Sequence, residues 1–107
     1  MSKYHNRKVT LNGVTFDSAK EAKRFLELTV AENAGAIDGL RRQVPFPILD
    51  AYELNGRKVR GVTYRADFVY FMDGEMVVED VKGYRTDVYK LKKKMFESRY
   101  GIAISEV

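Results

Sequence analysis

The chain has 107 residues, no cysteine and one histidine, His5, which is enough length for one domain and too little for two ordinary ones. These counts exclude a disulfide framework, a thiolate zinc site and a multi-histidine metal site. Any metal would need oxygen ligands, as Mg²⁺, Mn²⁺ and Ca²⁺ prefer. The net charge of +4 and the pI of about 9.3 indicate an anionic partner.

The charge is concentrated in one segment. Residues 84–100 contain six basic and two acidic residues, so this segment alone carries the net charge of +4. No apolar run approaches the roughly 20 residues that span a membrane, and the first residues lack the apolar segment of a signal peptide. We therefore expect a single cytoplasmic domain, residues 1–107, with no membrane partner.

The chain begins with a hairpin and a helix. "KVTLNGVTF" contains two β-type runs around Asn12 and Gly13, a strong hairpin signal. In "DSAKEAKRFLELTVAENAG", Ser18 is a suitable N-cap, Glu21 completes a capping-box pattern, and Gly35 is a natural stop. Helical spacing predicts an inward stripe of Ala22, Phe25, Leu26, Thr29 and Val30.

The middle of the chain reads as three strands in a meander. "LRRQVPFPILDAYEL" is extended, and its two prolines indicate an edge or irregular strand. Asn55 and Gly56 predict a second tight turn into "RKVRGVTYRADFVYF", in which Gly61 indicates a bulge or bend. Asp73 and Gly74 predict a third turn into "EMVVEDVKG".

A second helix and a last strand complete the chain. The helix runs from Thr86 to about Tyr100, with Thr86 or Asp87 as its cap and Gly101 at its end. Its predicted inward stripe is Val88, Leu91 and Met95. "IAISEV" is then a strand that can lie parallel to a neighbour. The element order predicts an α/β (α+β) layer fold with a mixed sheet.

The turn at residues 73–74 brings charged residues face to face. If these two residues are the centre of a tight turn, Asp67 lies opposite Asp80 and Arg65 lies opposite Lys82. Side chains alternate along a strand, so all four are expected on one face of the sheet. The Cβ atoms of a directly opposed pair lie about 4.5–5.5 Å apart.

Two opposed carboxylates indicate a site. A divalent cation between Asp67 and Asp80 would turn their repulsion into attraction, and a shared proton with a raised pKa is the other relief. The alternatives to a functional site are a solvated polar face, or neutralisation of the two carboxylates by Arg65 and Lys82. This arrangement depends on the turn, because a slip of one residue would flip one strand.

Two further acids have competing interpretations. Glu79 alternates with Asp80 and is expected on the other face, where a strand-end charge or a pair with a lysine is favoured over a catalytic role. Glu21 either serves only the helix cap or points from the helix at the carboxylate pair and completes a metal site. The sequence leaves this choice open.

These residues carry a resemblance to a known family. "RADF" followed by "VVEDVKG" resembles the signature of the PD-(D/E)XK nuclease superfamily. Asp67 matches its first acid, Asp80 its second and Lys82 its lysine. Glu21 in "DSAKEA" matches the helix glutamate that the family commonly adds, and Gln43 in "LRRQVPF" is similar to a glutamine found in some members.

Nearly the whole chain resembles a group of small phage-borne proteins described as endonucleases or Holliday-junction-resolvase-like proteins. The shared pattern is "KYHN…DSxxEA…Q…ADF…VEDVKG…TDVYKLKKK". The resemblance implies a restriction-endonuclease-like core of helix, three-strand antiparallel meander, helix and strand, preceded here by a hairpin. One departure is Ala66, which replaces a proline that often precedes the first acid.

The resemblance also implies a chemistry. It implies a DNA endonuclease that uses Mg²⁺ or Mn²⁺ to hydrolyse phosphodiester bonds, with branched DNA among its substrates. Asp67, Asp80, the Val81 carbonyl and Glu21 would hold the metal, and Lys82 would orient the attacking water and stabilise developing charge. A homodimer is expected, because one site cleaves one strand.

DNA contacts are expected from the basic segment and from Gln43. The candidates for sequence-independent phosphate contacts are Arg85, Lys90, Lys93 and Lys94. Such a run is also often only a solvated helix face. Tyr84 and Tyr89 could stack on bases, although core packing is favoured. The arm "SKYHNRK" could touch DNA, and His5 is interpreted as an incidental surface residue.

Two other functions remain open at this stage. One is a non-catalytic nucleic-acid-binding module in which the acids are structural. The other is a protein-interaction domain whose basic helix binds an acidic partner.

Overall fold

The computed structural model of the chain describes residues 7–107, so the predictions for His5 and the arm before Arg7 lie outside the described residues. The elements in chain order are β1 Val9–Leu11, β2 Val14–Phe16, α1 Ala19–Asn33, β3 Asp38–Leu49, β4 Tyr52–Leu54, β5 Arg57–Val59, β6 Val62–Met72, β7 Glu75–Asp80, α2 Asp87–Tyr100 and β8 Ile104–Glu106.

All three predicted hairpin turns are confirmed. Each pairs an Asn or Asp with a Gly, and both residues of each pair have positive φ: 51° and 81° at residues 12–13, 51° and 76° at residues 55–56, and 52° and 79° at residues 73–74. Positive φ at both central positions matches the right-handed twist of the flanking strands. The turns join β1 to β2, β4 to β5 and β6 to β7.

The caps of both helices lie where the sequence predicts them. The Ser18 hydroxyl accepts the Glu21 N–H at 3.1 Å, and Gly35 follows the last turn of α1 with φ of 79°. The Thr86 side chain caps α2, and Gly101 ends it in the left-handed conformation at φ of 68°. These contacts satisfy backbone groups that a helix end leaves without partners.

A mixed four-stranded sheet forms the centre of the fold in the order β3-β6-β7-β8. β3 is antiparallel to β6, β6 is antiparallel to β7, and β8 is parallel to β7, as expected for a strand that follows a helical crossover. The proline-containing strand β3 lies at an edge, as predicted. The predicted bend at Gly61 is confirmed, since β5 ends before it and β6 begins after it, but the single long strand expected there is two strands in separate sheets. The backbone passes close to Leu49 at this point, where a Cβ on Gly61 would lie 2.5 Å from the Leu49 carbonyl oxygen.

The core consists of two clusters. The cluster that includes buried residues of α2 contains Ile48, Tyr64, Ala66, Val69, Val78, Tyr89, Phe96 and Ile104. The cluster that includes a buried residue of α1 contains Leu28, Ile37, Phe68 and Tyr70. The protein is therefore an α+β fold with a mixed central sheet and two helices. No helix within residues 7–107 is long and apolar enough to cross a membrane.

The predicted inward faces of the helices are partly wrong. Ala22, Phe25 and Met95 pack in the core, but four predicted core residues are 48–68% exposed: Leu26, Val30, Val88 and Leu91. The buried face of α1 instead includes the charged residue Glu21, and that of α2 is centred on Tyr89 and Phe96. Apolar periodicity misses a buried face that contains charged groups.

Candidate functional site

The two faces of β6 exchange roles at Asp67. Tyr64 and Ala66, which precede Asp67, belong to the core cluster that includes the buried residues of α2, here called the α2-side cluster. Val69, which follows Asp67, belongs to the same cluster. Unbroken alternation would place Phe68 on the same face as Tyr64 and Ala66. Phe68 belongs instead to the core cluster that includes Leu28 of α1, here called the α1-side cluster. Asp67 therefore occupies an irregular position in the strand.

The neighbouring strand β3 has a matching irregularity at Gln43. Its backbone φ is 51°, in the left-handed region that a non-glycine residue seldom adopts. The β3–β6 ladder pairs the residues on both sides of this position but not Gln43 with Asp67. Leu40, before it, packs on the α1-side cluster, whereas Val44, after it, packs on the α2-side cluster.

The predicted register of β6 and β7 is confirmed. The ladder runs from the turn to Phe68 opposite Glu79, and the same register, continued by one residue beyond its end, sets Asp67 against Asp80. At this point the Asp67 carboxylate accepts the backbone N–H of Val81 at 2.8 Å. The aspartate side chain thus joins the two strands where their ladder ends.

A cavity of about 530 Å³ opens beside this junction. The four residues predicted to share a face all line it: Arg65, Asp67, Asp80 and Lys82. The sequence predicted this grouping from unbroken alternation along both strands. That premise is wrong, because β6 switches faces within this stretch. The N-terminal ends of both helices complete the wall, with Ser18 and Glu21 at the start of α1 and four residues at the start of α2: Thr86, Val88, Tyr89 and Lys92.

Glu21 makes a local contact at the start of α1 and also points toward the carboxylate pair, as the two interpretations of the sequence predicted. One carboxylate oxygen accepts the Asp17 N–H at 2.9 Å, one residue before the N-cap. The other accepts the Gln43 side-chain amide at 2.9 Å, and the same amide nitrogen lies 3.2 Å from an Asp67 oxygen. Glu21 is only 3% exposed. The strained backbone of Gln43 therefore places one amide between two carboxylates.

Asp80 has its own set of partners. The Tyr64 hydroxyl donates to one oxygen at 2.6 Å, and the Lys82 ammonium lies 2.9 Å from the other. The Lys82 nitrogen also lies 3.8 Å from the centre of the Tyr89 ring. The backbone carbonyl of Lys82 accepts a hydrogen bond from the Lys20 side chain at 2.8 Å.

The environment of the two aspartates favours their protonated forms. Burial raises the pKa of Asp80 to about 6; the Tyr64 and Lys82 contacts oppose this rise, and Asp67 adds to it. Burial likewise raises the pKa of Asp67. The hydrogen bonds that Asp67 accepts from Asp80 and from the Val81 N–H oppose this rise. A cation placed between the two carboxyls would reverse both shifts.

The donor chemistry fits a hard divalent cation, although the ligands are not assembled in advance. No set of three acidic or histidine side chains within residues 7–107 is arranged to hold a metal ion. The Gln43 amide stands between Glu21 and Asp67, and the Lys82 ammonium covers one oxygen of Asp80. Two carboxylates and a nearby third are the oxygen ligands that Mg²⁺ and Mn²⁺ prefer.

A family match covers residues 1–104, and the family is described as "Protein of unknown function (DUF1064)". The chain belongs to the DUF1064 family. The comparison with curated proteins gave no match. Among solved structures, protein VC1899 from Vibrio cholerae is similar at 14% identity with a TM-score of 0.37. That likeness covers 92% of the DUF1064 chain but only 35% of VC1899.

Glu79 of the DUF1064 protein faces away from the cavity, as predicted. It is 1% exposed and forms a two-point ion pair with Arg24 of α1, at 2.6 and 2.8 Å. The Tyr70 hydroxyl donates to the same carboxylate. The partner is therefore an arginine and not the lysine suggested by the sequence, and this cluster stabilises the packing of α1 on the sheet.

The predicted DNA-contacting residues have different surroundings. Arg85 and Lys93 both contact Glu106, at 2.8 and 3.4 Å, whereas Lys90 and Lys94 are exposed. Gln43 belongs to the carboxylate network. Tyr89 packs in the core, as favoured, but the same prediction for Tyr84 is wrong, since that residue is 59% exposed.

Sequence reasoning missed three side chains of the DUF1064 site. Lys92 lines the cavity because it lies on the inward face of α2, one turn after Tyr89, a position that the run of lysines concealed. Tyr64 reaches Asp80 through the switch of faces in β6, which no sequence signal indicated. The contact of Lys20 with the carbonyl of Lys82 joins residues 62 positions apart and had no local signal either.

Proposed function

We propose that this DUF1064 protein is a DNA endonuclease that depends on Mg²⁺ or Mn²⁺ and hydrolyses phosphodiester bonds, with branched DNA as a substrate. One observation carries the proposal: Asp67 and Asp80 lie together, with raised pKa values, in a cavity that also contains Glu21 and Lys82. Strongly perturbed carboxyls in a cavity are typical of functional sites.

The proposal that the fold is a restriction-endonuclease-like core comes from the resemblance to the PD-(D/E)XK superfamily. The observed order of a helix, three antiparallel strands, a helix and a parallel strand agrees with the order expected of a restriction-endonuclease-like core. The inserted hairpin β4–β5 and the leading hairpin β1–β2 lie outside that core. This agreement supports the proposal.

Four groups are candidates to hold the cation: the carboxylates of Asp67, Asp80 and Glu21, and the backbone carbonyl of Val81. A bound Mg²⁺ would polarise the scissile phosphate and lower the pKa of a water molecule. The first two carboxylates line the same cavity just beyond the end of the β6–β7 ladder, so they are the candidate primary ligands. Glu21 becomes available when the Gln43 amide turns away.

Lys82 is the candidate for stabilising charge at the phosphate. Its ammonium lies between the Asp80 carboxylate and the Tyr89 ring, which limits where it can point. When the Asp80 oxygens bind a cation instead, the lysine keeps its position at the cavity and turns to the phosphate or to the attacking water. A compact ammonium with three donors suits both tasks.

Gln43 and Tyr64 position the acids. The Gln43 amide fixes Asp67 relative to Glu21, and the Tyr64 hydroxyl fixes Asp80 from the opposite side. Each donates a hydrogen bond to a carboxylate, which orients the oxygens. Both are therefore positioning residues in the proposed reaction.

Phosphate contacts are proposed for the basic helix α2. Lys92 lines the cavity and is placed near the cleaved bond, whereas the exposed Lys90 and Lys94 lie outside the cavity and would neutralise phosphates farther along the DNA. Arg85 and Lys93 would first have to release Glu106. Binding is therefore expected to weaken steeply with salt.

A homodimer is part of the proposal, since cleavage of two strands needs two sites. The resemblance to small phage-borne proteins further suggests a phage-encoded enzyme that acts in the cytoplasm of a bacterial host. Both statements rest on the resemblance.

A cleavage panel tests the proposed function. Duplex, single-stranded, flap and four-way-junction DNA are incubated with Mg²⁺ or Mn²⁺ and with the wild type, Asp80→Asn or Glu75→Gln. The control Glu75→Gln makes the same chemical change at an exposed position of the same strand. We expect cleavage by the wild type and the control but not by Asp80→Asn. Equal cleavage by Asp80→Asn would reject the site.

A non-catalytic nucleic-acid-binding module is the second candidate. The observation that favours it is the full set of hydrogen bonds and ion pairs around the acids, in which Gln43 and Lys82 occupy the oxygens that a cation would need. This function predicts salt-dependent binding without cleavage of any substrate in the same panel.

A further inference from the structure

The hairpin β4–β5 is an arm with a surface of its own. Its strands pair only with each other and form a separate two-stranded sheet. All residues from 52 to 60 are exposed except Val59, which is partly buried. We call residues 52–60 the basic arm, because they include three cations and one carboxylate.

The cations of the basic arm have no partners in the described part of the chain. The side chains of Arg57, Lys58 and Arg60 form no hydrogen bond or ion pair with any residue from 7 to 107. Glu53 lies directly opposite Lys58, yet the two do not form an ion pair. This contrasts with Arg85 of the basic segment, which contacts Glu106. Three cations without a carboxylate partner fit an external anionic ligand.

The basic arm continues directly into the wall of the cavity. After the bend at Gly61 the chain enters β6, where Thr63 and Arg65 line the cavity that contains Asp67. Residues 62–66 pair with β3 alone, while the ladder with β7 covers only residues 68–72, so the other edge of this stretch borders the cavity. A ligand lying along this edge would pass Arg65 and then reach the arm.

The distances suit a duplex. Arg60 lies seven residues before Asp67, which is at most about 23 Å at about 3.3 Å per strand residue. This equals about seven base pairs of B-form DNA at about 3.4 Å each. A rigid polyanion bound at the cavity would therefore extend as far as the basic arm.

We infer that the basic arm binds the phosphate backbone of double-stranded DNA beside the cavity, within about one helical turn of the phosphate at Asp67 and Asp80. The inference rests on the proposed function for the choice of ligand and adds a second contact region to it. The arm supplies affinity and orientation, and it takes no part in the chemistry.

The first experiment measures duplex affinity against salt concentration without divalent metal, so that no cleavage occurs. The triple variant R57Q/K58Q/R60Q removes three positive charges from the basic arm. The control N33D/A36D/M72E lowers the net charge by the same amount at exposed positions near the opposite end of the sheet. Each lost phosphate contact reduces the salt slope by about 0.9, so the arm variant should lose about 2–3 units of slope and about tenfold or more in affinity.

The control variant should keep a slope within about 0.5 of the wild type, because it lacks no phosphate contact. An arm variant with wild-type slope and affinity would overturn the inference. So would a control that loses as much slope as the arm variant, because the effect would then come from net charge alone. A wild type that does not bind duplex at low salt also overturns it.

The second experiment places a crosslinker on the arm. The chain has no cysteine, so Glu53→Cys or Met72→Cys gives a single attachment point for a photoactivatable maleimide. Both positions are exposed, and Met72 lies five residues beyond Asp67 on the other side of the site. Crosslinks to duplex from residue 53 and not from residue 72 support the inference. Equal yields, or crosslinks only from residue 72, contradict it.

The two proposals fail in different ways. If the protein cleaves DNA but the arm variant binds like the wild type, the basic arm is not a DNA contact and the nuclease proposal stands. If no substrate is cleaved while the arm variant still loses salt slope, the binding surface stands and the catalytic proposal is wrong.

Discussion

The Asp67 carboxylate accepts the backbone N–H of Val81 at 2.8 Å, directly beyond the last pair of the β6–β7 ladder. A single side chain therefore replaces a ladder hydrogen bond and also supplies a carboxylate to the cavity. The structural and the proposed chemical roles of Asp67 can be separated, because only the second requires a negative charge.

Asp67→Asn and Asp67→Ala should separate these two roles. Asparagine keeps an oxygen that can accept the Val81 N–H but loses the oxygen that faces the Gln43 amide, so it should destabilise the protein less than alanine does. Alanine leaves a buried donor unpaired and should cost about 1–3 kcal/mol. Both variants should bind Mn²⁺ at least about tenfold more weakly by isothermal titration calorimetry, since both lack the carboxylate ligand. Wild-type Mn²⁺ affinity in Asp67→Asn would show that Asp67 is not a ligand.

The positive φ of Gln43 predicts an unusual order of stability. Gln43→Ala and Gln43→Gly both remove the amide that joins Glu21 to Asp67, but glycine adopts a φ of 51° without strain. Gln43→Gly should therefore be more stable than Gln43→Ala by about 1 kcal/mol in urea denaturation. The reverse order, which an ordinary strand position would give, would show that the backbone is not left-handed there.

The buried pair of Glu79 and Arg24 should show strong coupling. Glu79→Met leaves a partly buried arginine without its partner and should cost about 3–5 kcal/mol in urea denaturation. The double variant R24M/E79M should cost clearly less than the sum of the two single variants. Mn²⁺ affinity should not change in the double variant, since the pair faces away from the cavity. Additive costs would mean that the two side chains do not interact.

Glu106 should make stability depend on pH in the acidic range. A hydrogen bond from the Tyr89 hydroxyl, with Arg85 and Lys93 nearby, lowers the pKa of Glu106 from 4.5 to about 2. The folded state then binds fewer protons than the unfolded state between these pH values. The stability that Glu106 contributes is therefore complete above about pH 4.5 and is lost as the pH falls toward 2.

The check is the melting temperature of the wild type and Glu106→Gln from pH 7 to pH 2.5. The stability difference between them should be largest above pH 4.5 and should shrink at lower pH, because glutamine cannot titrate. Two curves that stay parallel over this range would contradict the assigned pKa.

The sequence was most informative where a local rule determines the structure. Asn–Gly and Asp–Gly pairs favour turns with two positive φ values, and the turn at residues 73–74 in turn fixed the register that opposes Asp67 and Asp80. The Ser18 cap and the Gly101 stop follow from hydrogen bonds within one helical turn. These features depend on neighbouring residues only.

The wrong or missing predictions concern features that depend on contacts between residues far apart in the sequence. Leu26 and Leu91 fit an apolar stripe, but the buried faces of the helices are set by Glu21 and Tyr89, which turn toward the site. The switch of faces at Asp67 requires an unusual backbone angle on the adjacent strand. No spacing in the sequence indicates this angle, so the contact of Tyr64 with Asp80 could not be predicted.

The most direct test of the central claim is an anomalous-diffraction measurement on crystals grown with Mn²⁺. The account predicts one strong peak within about 2.0–2.6 Å of oxygens from both Asp67 and Asp80. The peak should be missing in Asp80→Asn crystals grown under the same conditions. A wild-type map without a peak at this place, or with manganese bound to only one of the two aspartates, would contradict the claim that the pair holds a single cation.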